Sequence, residues 1–573
     1  MLSKAKSFDP GSIWHYFLEW NPQLFREIKG RLKTRNIVIT ICISLVSQLL
    51  IVLSFTSKLP TDDILIPPNE TLSKVYSSYC LGEVDYGNQR LCQTDLLNHW
   101  VINWQLLWLD IFMWLSIIGF FTLLIAGTYL LAADIVKEEN RGTFNFIRLS
   151  PQSATTILQG KILGVPSLIY LGLFLALPLQ FVAGLNALIP LNLILAFDLT
   201  VIAAGLFFYS AGLLLSLINF GIPGFKSWLA SGVVLFFLCC TMSIIFNAFA
   251  VTNTPADWLS FFNPGRVLAY LVDASYISQL TANYADLTAL KDIVFYGQTL
   301  WTKPLTGIGF ILFNYGLWTY FIWQGLQRRF HNPQSTLLSK STSYWLTGCF
   351  VAMALGFALQ KTESYHMESN LVFLYCLLSI YFLGLIAALS PHRQTLHDWA
   401  RYRHQMKRGG HLLGKELVLG DKSPSSVAIA LNLILAVVYI LPSLFLFDRN
   451  NEMVNVFWTL VITSNILLLC AIIAQLMLAM KNQKRAVWAT STIVALIVVP
   501  LVTMGILEIT PASVPIAWLF TFIPYFGIEN AATSTILLSI LGQWLAIAIT
   551  GLQMTRHLRQ AGASETKALL SEI

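Results

Sequence analysis

The chain has 573 residues, of which 56% are apolar and only 11% are charged. Soluble domains carry roughly 25% charged residues, so this composition excludes an ordinary water-soluble fold and makes lipid the solvent. The formal charge of +7 does not indicate nucleic acid, because the basic residues gather in short loops between apolar runs, the pattern that orients a membrane protein.

The first thirty residues, from Met1 to Gly30, lack a continuous apolar core and a small-residue cleavage site, and do not read as a cleavable signal. Within them Ile13, Trp14, Phe17, Leu18, Leu24, Phe25 and Ile28 recur at helical intervals beside Lys and Arg, which predicts a helix lying in the inner interface. Twelve apolar runs follow. The first six are Asn36–Ser57, Trp104–Ile135, Ile162–Leu185, Ile189–Ile218, Trp228–Ala250 and Leu305–Trp323. The second six are Tyr344–Leu359, Asn370–Leu389, Val427–Phe447, Val454–Met480, Val487–Leu507 and Thr533–Met554. Each is near the roughly 20 residues a crossing helix needs. The predicted fold is therefore an all-α integral membrane protein.

Charge sets the expected orientation. Arg26, Lys29, Arg31, Lys33 and Arg35 precede the first span. Lys137, Arg141, Arg148 and Lys161 follow the second, and Arg328 and Arg329 follow the sixth. Arg393, Arg401, Arg403, Lys407, Arg408, Lys415 and Lys422 follow the eighth, Lys481, Lys484 and Arg485 the tenth, and Arg556 and Arg559 the twelfth. All fall on one side, which the positive-inside rule makes cytoplasmic, with both termini there. The opposite loops are neutral or acidic (Asp62, Asp63, Glu70, Glu83, Asp85). This count requires that Ile516–Phe526, a short apolar segment interrupted by Pro511, Pro515 and Pro524, does not cross. It is expected to be a re-entrant or interfacial helix, which needs protein or water around its backbone.

Six of the eight cysteines lie in apolar spans and behave as small hydrophobes. Cys80 and Cys92 share a polar outer loop. If that face is oxidising they form a disulfide; the alternative is two free thiols. No CxxC pair is present, so a zinc site is not expected.

The halves echo each other. Arg141-Gly142-Thr143-Phe144 after span two aligns with Arg393-Gln394-Thr395-Leu396 after span eight, and Gly160-Lys161 then falls close to Gly414-Lys415. Trp258–Val272 and Trp518–Ala532 each pair an aromatic run with a central Pro before the last span of their half. Two halves of the same order and orientation form a parallel repeat, which commonly encloses a pathway. Coincidence among apolar helices is the competing reading.

Few residues suggest chemistry. Gly409–Glu416 has the spacing of a phosphate-binding loop, but Glu416 replaces the magnesium-holding hydroxyl and no buried strand precedes it. His397, His404 and His411 recur every seven residues, as one face of a helix. With His392 they read as a solvated basic docking surface rather than a metal site, which wants closer spacing. Asp110 and Asp198 are intramembrane acids, each costing at least roughly 2.5–3.5 kcal/mol at a bilayer centre. The structural reading, an interhelical hydrogen bond, is preferred to a proton-linked pathway, since no Lys or Arg lies within a span to complete a relay. Lys137, Glu138, Glu139 and Arg141 end the extension of span two, and Gly142-Thr143 opens a short surface helix whose apolar side is Phe144, Phe146, Ile147 and Leu149.

These features resemble the permease subunit of an ATP-binding-cassette (ABC) transporter, of the exporter type with six spans per half. The stretch Asn21–Asn36 is similar to that family's connecting helix, Lys137–Pro151 to its coupling helix, and Asn263-Pro264 to its outer re-entrant helices. The second half keeps Arg393 and Thr395 but lacks counterparts of Glu138, Glu139 and Gly142. The resemblance implies a connecting helix at 1–35, a six-span half at 36–326, a linker at 327–343, a second half at 344–554 and a cytoplasmic tail at 555–573. It implies no catalytic site, cofactor or metal in this chain. ATP and magnesium would sit on separate cytoplasmic ATPase subunits docking at Lys137, Glu138, Glu139, Arg141, Gly142, Thr143, Arg393, Thr395 and Arg403. It also implies a bacterial plasma membrane, contact with lipid and none with nucleic acid. An ion-driven secondary transporter would need ion-ligating groups at mid-membrane, and only Asp198 is a candidate. A membrane-embedded transferase would need convergent His, Asp or Arg at one depth.

Overall fold

The computed structural model describes residues 21–60, 76–81, 90–95, 99–218, 223–246, 253–274, 293–360, 364–405, 410–446 and 450–571. Among them, eleven helices are long and apolar enough to cross a membrane. The described residues are predominantly helical, with only two-residue strands beside the helices, and the chain is of multi-pass membrane type. The chain divides into two units, the first built mainly from residues up to His331 and the second mainly from Asn332 onward.

Unit one begins with α1 (Pro22–Arg31) and α2 (Thr34–Thr56), separated by a break at Leu32-Lys33. The expected interfacial helix over Ile13–Ile28 lies outside the described residues up to Trp20. A disulfide-closed loop bearing strands β1 (Tyr76–Ser77) and β2 (Arg90–Leu91) leads to α3 (Trp104–Asn140). Then come α4 (Thr143–Arg148), α5 (Ala154–Gly164), α6 (Ser167–Asn186), α7 (Leu191–Leu217), α8 (Lys226–Phe246), the short α9 (Ala256–Ser260), of which Ala256–Trp258 are assigned to unit two, α10 (Gly265–Ala274) and α11 (Pro304–His331). The third span was expected to start at Ile162. Instead the helix breaks at Val165-Pro166, because proline at 166 cannot donate to the ladder, and α5 is a separate element.

Midway along α3, Thr122–Ala126 form a π-helical turn. Such a turn loosens the regular ladder. The buried Tyr209 hydroxyl donates to Leu123 O at 2.8 Å and Thr128 Oγ1 to Leu124 O at 2.6 Å. The Tyr209 side chain thus ties α7 to the irregular turn. Within this unit α2 packs on α6, α3 on α6, α7 and α8, and α7 on α11.

Unit two runs α12 (Lys340–Ala358), α13 (Ser364–Leu389), α14 (Arg393–Gln405), α15 (Gly410–Leu419), α16 (Ser426–Leu444), α17 (Asn450–Leu478), α18 (Arg485–Ile506), α19 (Pro515–Trp518), α20 (Tyr525–Ile528) and α21 (Thr533–Ser571). Here α12 packs on α16, α13 on α17, and α17 on α21. The expected seventh span corresponds to α12, whose polar first turn, Lys340-Ser341-Thr342-Ser343, keeps it out of the eleven. Ile516–Phe526 is two single turns with Leu519–Pro524 between them, too short to cross. Helix α11 runs to His331, and α21 runs from Thr533 to Ser571.

Candidate docking site

Asn21 caps α1, its side chain accepting from Leu24 N at 3.1 Å and donating to Thr156 O at 2.8 Å. The helix then lies across a bare patch of α5. A Cβ at Gly160 would come 2.8 Å from Leu24 N, and one at Gly164 would come 2.6 Å from Glu27 Cβ. The spacing Gly160-x-x-x-Gly164 is the small-residue pattern that lets helix backbones approach.

Between these glycines Lys161 points into a charged hub. It is fully buried, with Nζ 2.6 Å from Asp134, 2.7 Å from Glu138 and 3.6 Å from Glu27. Asp134 and Glu138 are one turn apart on α3 and so share a face. Arg31 bonds Asp134 at 2.6 Å and Glu27 at 3.4 Å, and Arg26 bonds Glu27 at 3.2 Å and also Glu138. Three cations thus meet three carboxylates, which is how buried charges are sustained. Burial pulls the Lys161 pKa down, but Asp134, Glu138 and Glu27 outweigh it and hold it above the usual lysine value. The three carboxylates lie within 4.8 Å of one another, near enough to share a metal, but the Lys161 ammonium already sits among them.

This hub is the root of α4. Gly142 adopts φ +72°, a left-handed conformation that favours glycine, and turns the chain from α3 into α4. Thr143 Oγ1 bonds Glu138 O at 3.2 Å. Phe144 and Ile147 pack inward, Phe144 edge-on to Phe330 at 5.7 Å with the Arg148 guanidinium 4.4 Å from its ring centroid. The expected single apolar side is in fact split, because Phe146 and Leu149 are 80% and 85% exposed. Lys137 and Arg141 are exposed, while Glu139 pairs with the buried Lys226 at 3.2 Å. Glu138, expected on the docking face, is turned into the hub.

Unit two builds its corresponding edge differently. Leu396 and Ala400 of α14 are buried, and α14 packs along α21. Arg393 Nε bonds Ala479 O at 3.0 Å, Thr395 is half-buried, and Arg403 lies 3.5 Å from Glu416, which also accepts from Trp399 Nε1. His397 sits near His557 (ring centroids 6.5 Å), and burial, Arg393, His557 and Arg401 lower its pKa. His397 and His404 lie on α14 and His411 within α15; residues 406–409 between them lie outside the described residues. Residues Gly410–Glu416 are helical, so they form no phosphate-cradling loop. Lys340, 2% exposed, donates to Leu417 O at 2.8 Å, Ser423 Oγ at 2.6 Å and Pro424 O at 2.9 Å.

The other candidates lie elsewhere in unit one. Asp110 accepts from the Tyr79 hydroxyl at 2.7 Å, beside the Cys80–Cys92 disulfide. Asp198 of α7 accepts from Gln180 of α6 at 3.0 Å, an interhelical bond. Sequence reasoning missed Glu27, Asp134 and Gly164, and read Gly160 and Lys161 only as part of the internal repeat and, for Lys161, as a loop charge. The signals were an acid in the apolar Ala132-Ala133-Asp134-Ile135 and the glycine spacing itself. Comparison with family models, with curated proteins and with solved structures finds no match.

Proposed function

We propose that the chain is the membrane-spanning permease of an ABC transporter of the exporter type, driven by separate ATP-hydrolysing subunits. The observation that carries this reading is α4. It is a short helix set off by the Gly142 turn, offering Phe146 and Leu149 outward while its root is fixed through Lys161 to α1 and α5. A surface helix so held passes a push to the helices behind it, because packed cores deform little. The reading includes twelve spans in two parallel six-span repeats. The same helix order in both halves supports this, as do the pairings α2–α6 with α12–α16, α3–α7 with α13–α17, and α7–α11 with α17–α21. The short α9, α10, α19 and α20 would be outer re-entrant elements. The α1, α4, α5, α14 and α15 ends would face the cytoplasm of a bacterial cell, and the disulfide loop the outside. ATP and magnesium would bind the partner; this chain would supply no catalytic group.

The test is gentle solubilisation of the tagged chain from its native host. A nucleotide-binding ATPase recovered in stoichiometric amount is expected, and its loss with Phe146→Asp plus Leu149→Asp. Transport by the purified chain alone on an ion gradient would overturn the proposal.

A further inference from the structure

In each unit two helices flank a common third. In unit one, α3 and α8 both pack on α7 and also on each other, so the trio is closed. In unit two, α13 and α18 both pack on α17, but among the described residues they do not pack on each other along their length. The two trios share one fastening. Lys226, the first residue of α8, bonds Glu139 near the end of α3 at 3.2 Å. Arg485, the first residue of α18, donates from Nη2 to Nε2 of His392, just past the end of α13, at 2.9 Å.

Above the fastening the units differ. Helix α8 buries one face from Lys226 to Ile245, its Trp228 ring lies 5.1 Å from that of Tyr129, and no residue of α3 from Leu123 to Val136 is exposed. Helix α18 buries only Ala489 and Met504, and its Trp488 is 55% exposed. Helix α13 correspondingly leaves Ile380, Gly384 and Ala387 open, residues a turn apart that form a single stripe. A Cβ at Gly384 would meet nothing within 4 Å. Gly384 and Ala387 are small, as are the exposed Ala486 and Thr490 of α18, and small residues let helix backbones approach closely.

We propose that α18 is a hinged strap that pivots at the His392–Arg485 bond and closes on this stripe of α13, making the pairing that α3 and α8 already have. His392 also precedes Arg393, the first residue of α14, so a displacement of α14 moves the pivot and with it α18. From the proposed repeat this takes only the equivalence of α18 with α8. The test puts the photoreactive p-benzoylphenylalanine in place of Ile380, which is 69% exposed, in the full chain in nanodiscs, irradiates, and maps adducts by peptide mass spectrometry. Ile380 lies about three turns above the pivot, so adducts are expected on α18 about three turns beyond Arg485, within Val494–Leu501. Gly384→Trp, which wedges the stripe from an open position, should cut that yield about threefold or more, and Arg485→Ala, which frees the base, should do the same. The unfolding midpoint reports that each variant is folded, and the wild-type background alone already decides whether α18 reaches α13. Absence of α18 adducts, adducts confined to lipid, or a yield that either variant leaves unchanged would overturn the proposal. The repeat fails separately, if Glu139 and Arg403 lie on opposite faces of the membrane, and the cross-link reads the strap whichever way that falls.

Discussion

Lys161 is the residue on which the first unit's charged end depends. Removing its ammonium strands three carboxylates with two arginines, and breaking a buried ion group typically costs about 3–5 kcal/mol. Lys161→Met is therefore expected to lower the unfolding midpoint in detergent sharply. Lys161→Met with Glu138→Gln, which restores the charge balance, should recover much of the loss. Lys340 makes a different prediction. Burial, opposed by Asp421, brings its pKa down from 10.5 to about 8. Between those values the unfolded lysine still holds a proton that the folded one has lost, so this group makes stability rise with pH across that window. Its burial cost is fully present below pH 8. The wild-type midpoint should thus gain on that of Lys340→Met between pH 8 and 10.5, and parallel profiles would contradict the assignment.

At the scale of elements, the α1–α5 seat depends on flatness. Gly160→Leu should separate the two helices, because its Cβ alone would sit 2.8 Å from the α1 backbone. Protease accessibility near Asn21 should rise. Gly142→Val forces a branched residue into a left-handed turn at a cost of roughly 1–2 kcal/mol, and α4 should lose its fixed aim while the hub survives. Spans were legible from sequence because a long apolar run has few other fates in water. The ends of α3, α11 and α21 were not, because there charged residues continue the helix beyond the apolar run, and α5 was hidden because Pro166 breaks what reads as one apolar stretch. The α4 faces were misread for a related reason. Six residues fix no periodicity, and only the packing of Phe144 against Phe330 decides which side turns inward.

At the scale of the molecule, orientation was read from basic residues alone, and it has a direct check. Cysteines placed at Glu139 and Arg403 should react with an impermeant maleimide from the same side of sealed vesicles; opposite sidedness would contradict the twelve-span count. The hub was invisible at this scale because its six charges come from three stretches far apart in sequence, and nothing in the sequence shows that they meet. Its alignment has one further dependence. A π turn accommodates one residue more than an α turn within nearly the same length. The turn at Thr122–Ala126 therefore sets the phase between the upper half of α3 and the face carrying Asp134 and Glu138. Deleting one residue inside it should be absorbed by straightening to α geometry. Deleting one between Gly127 and Ala133 should swing both acids about 100° away from Lys161. The π turn is thus a spacer, and the chain's tolerance of shortening along α3 should be confined to that single turn.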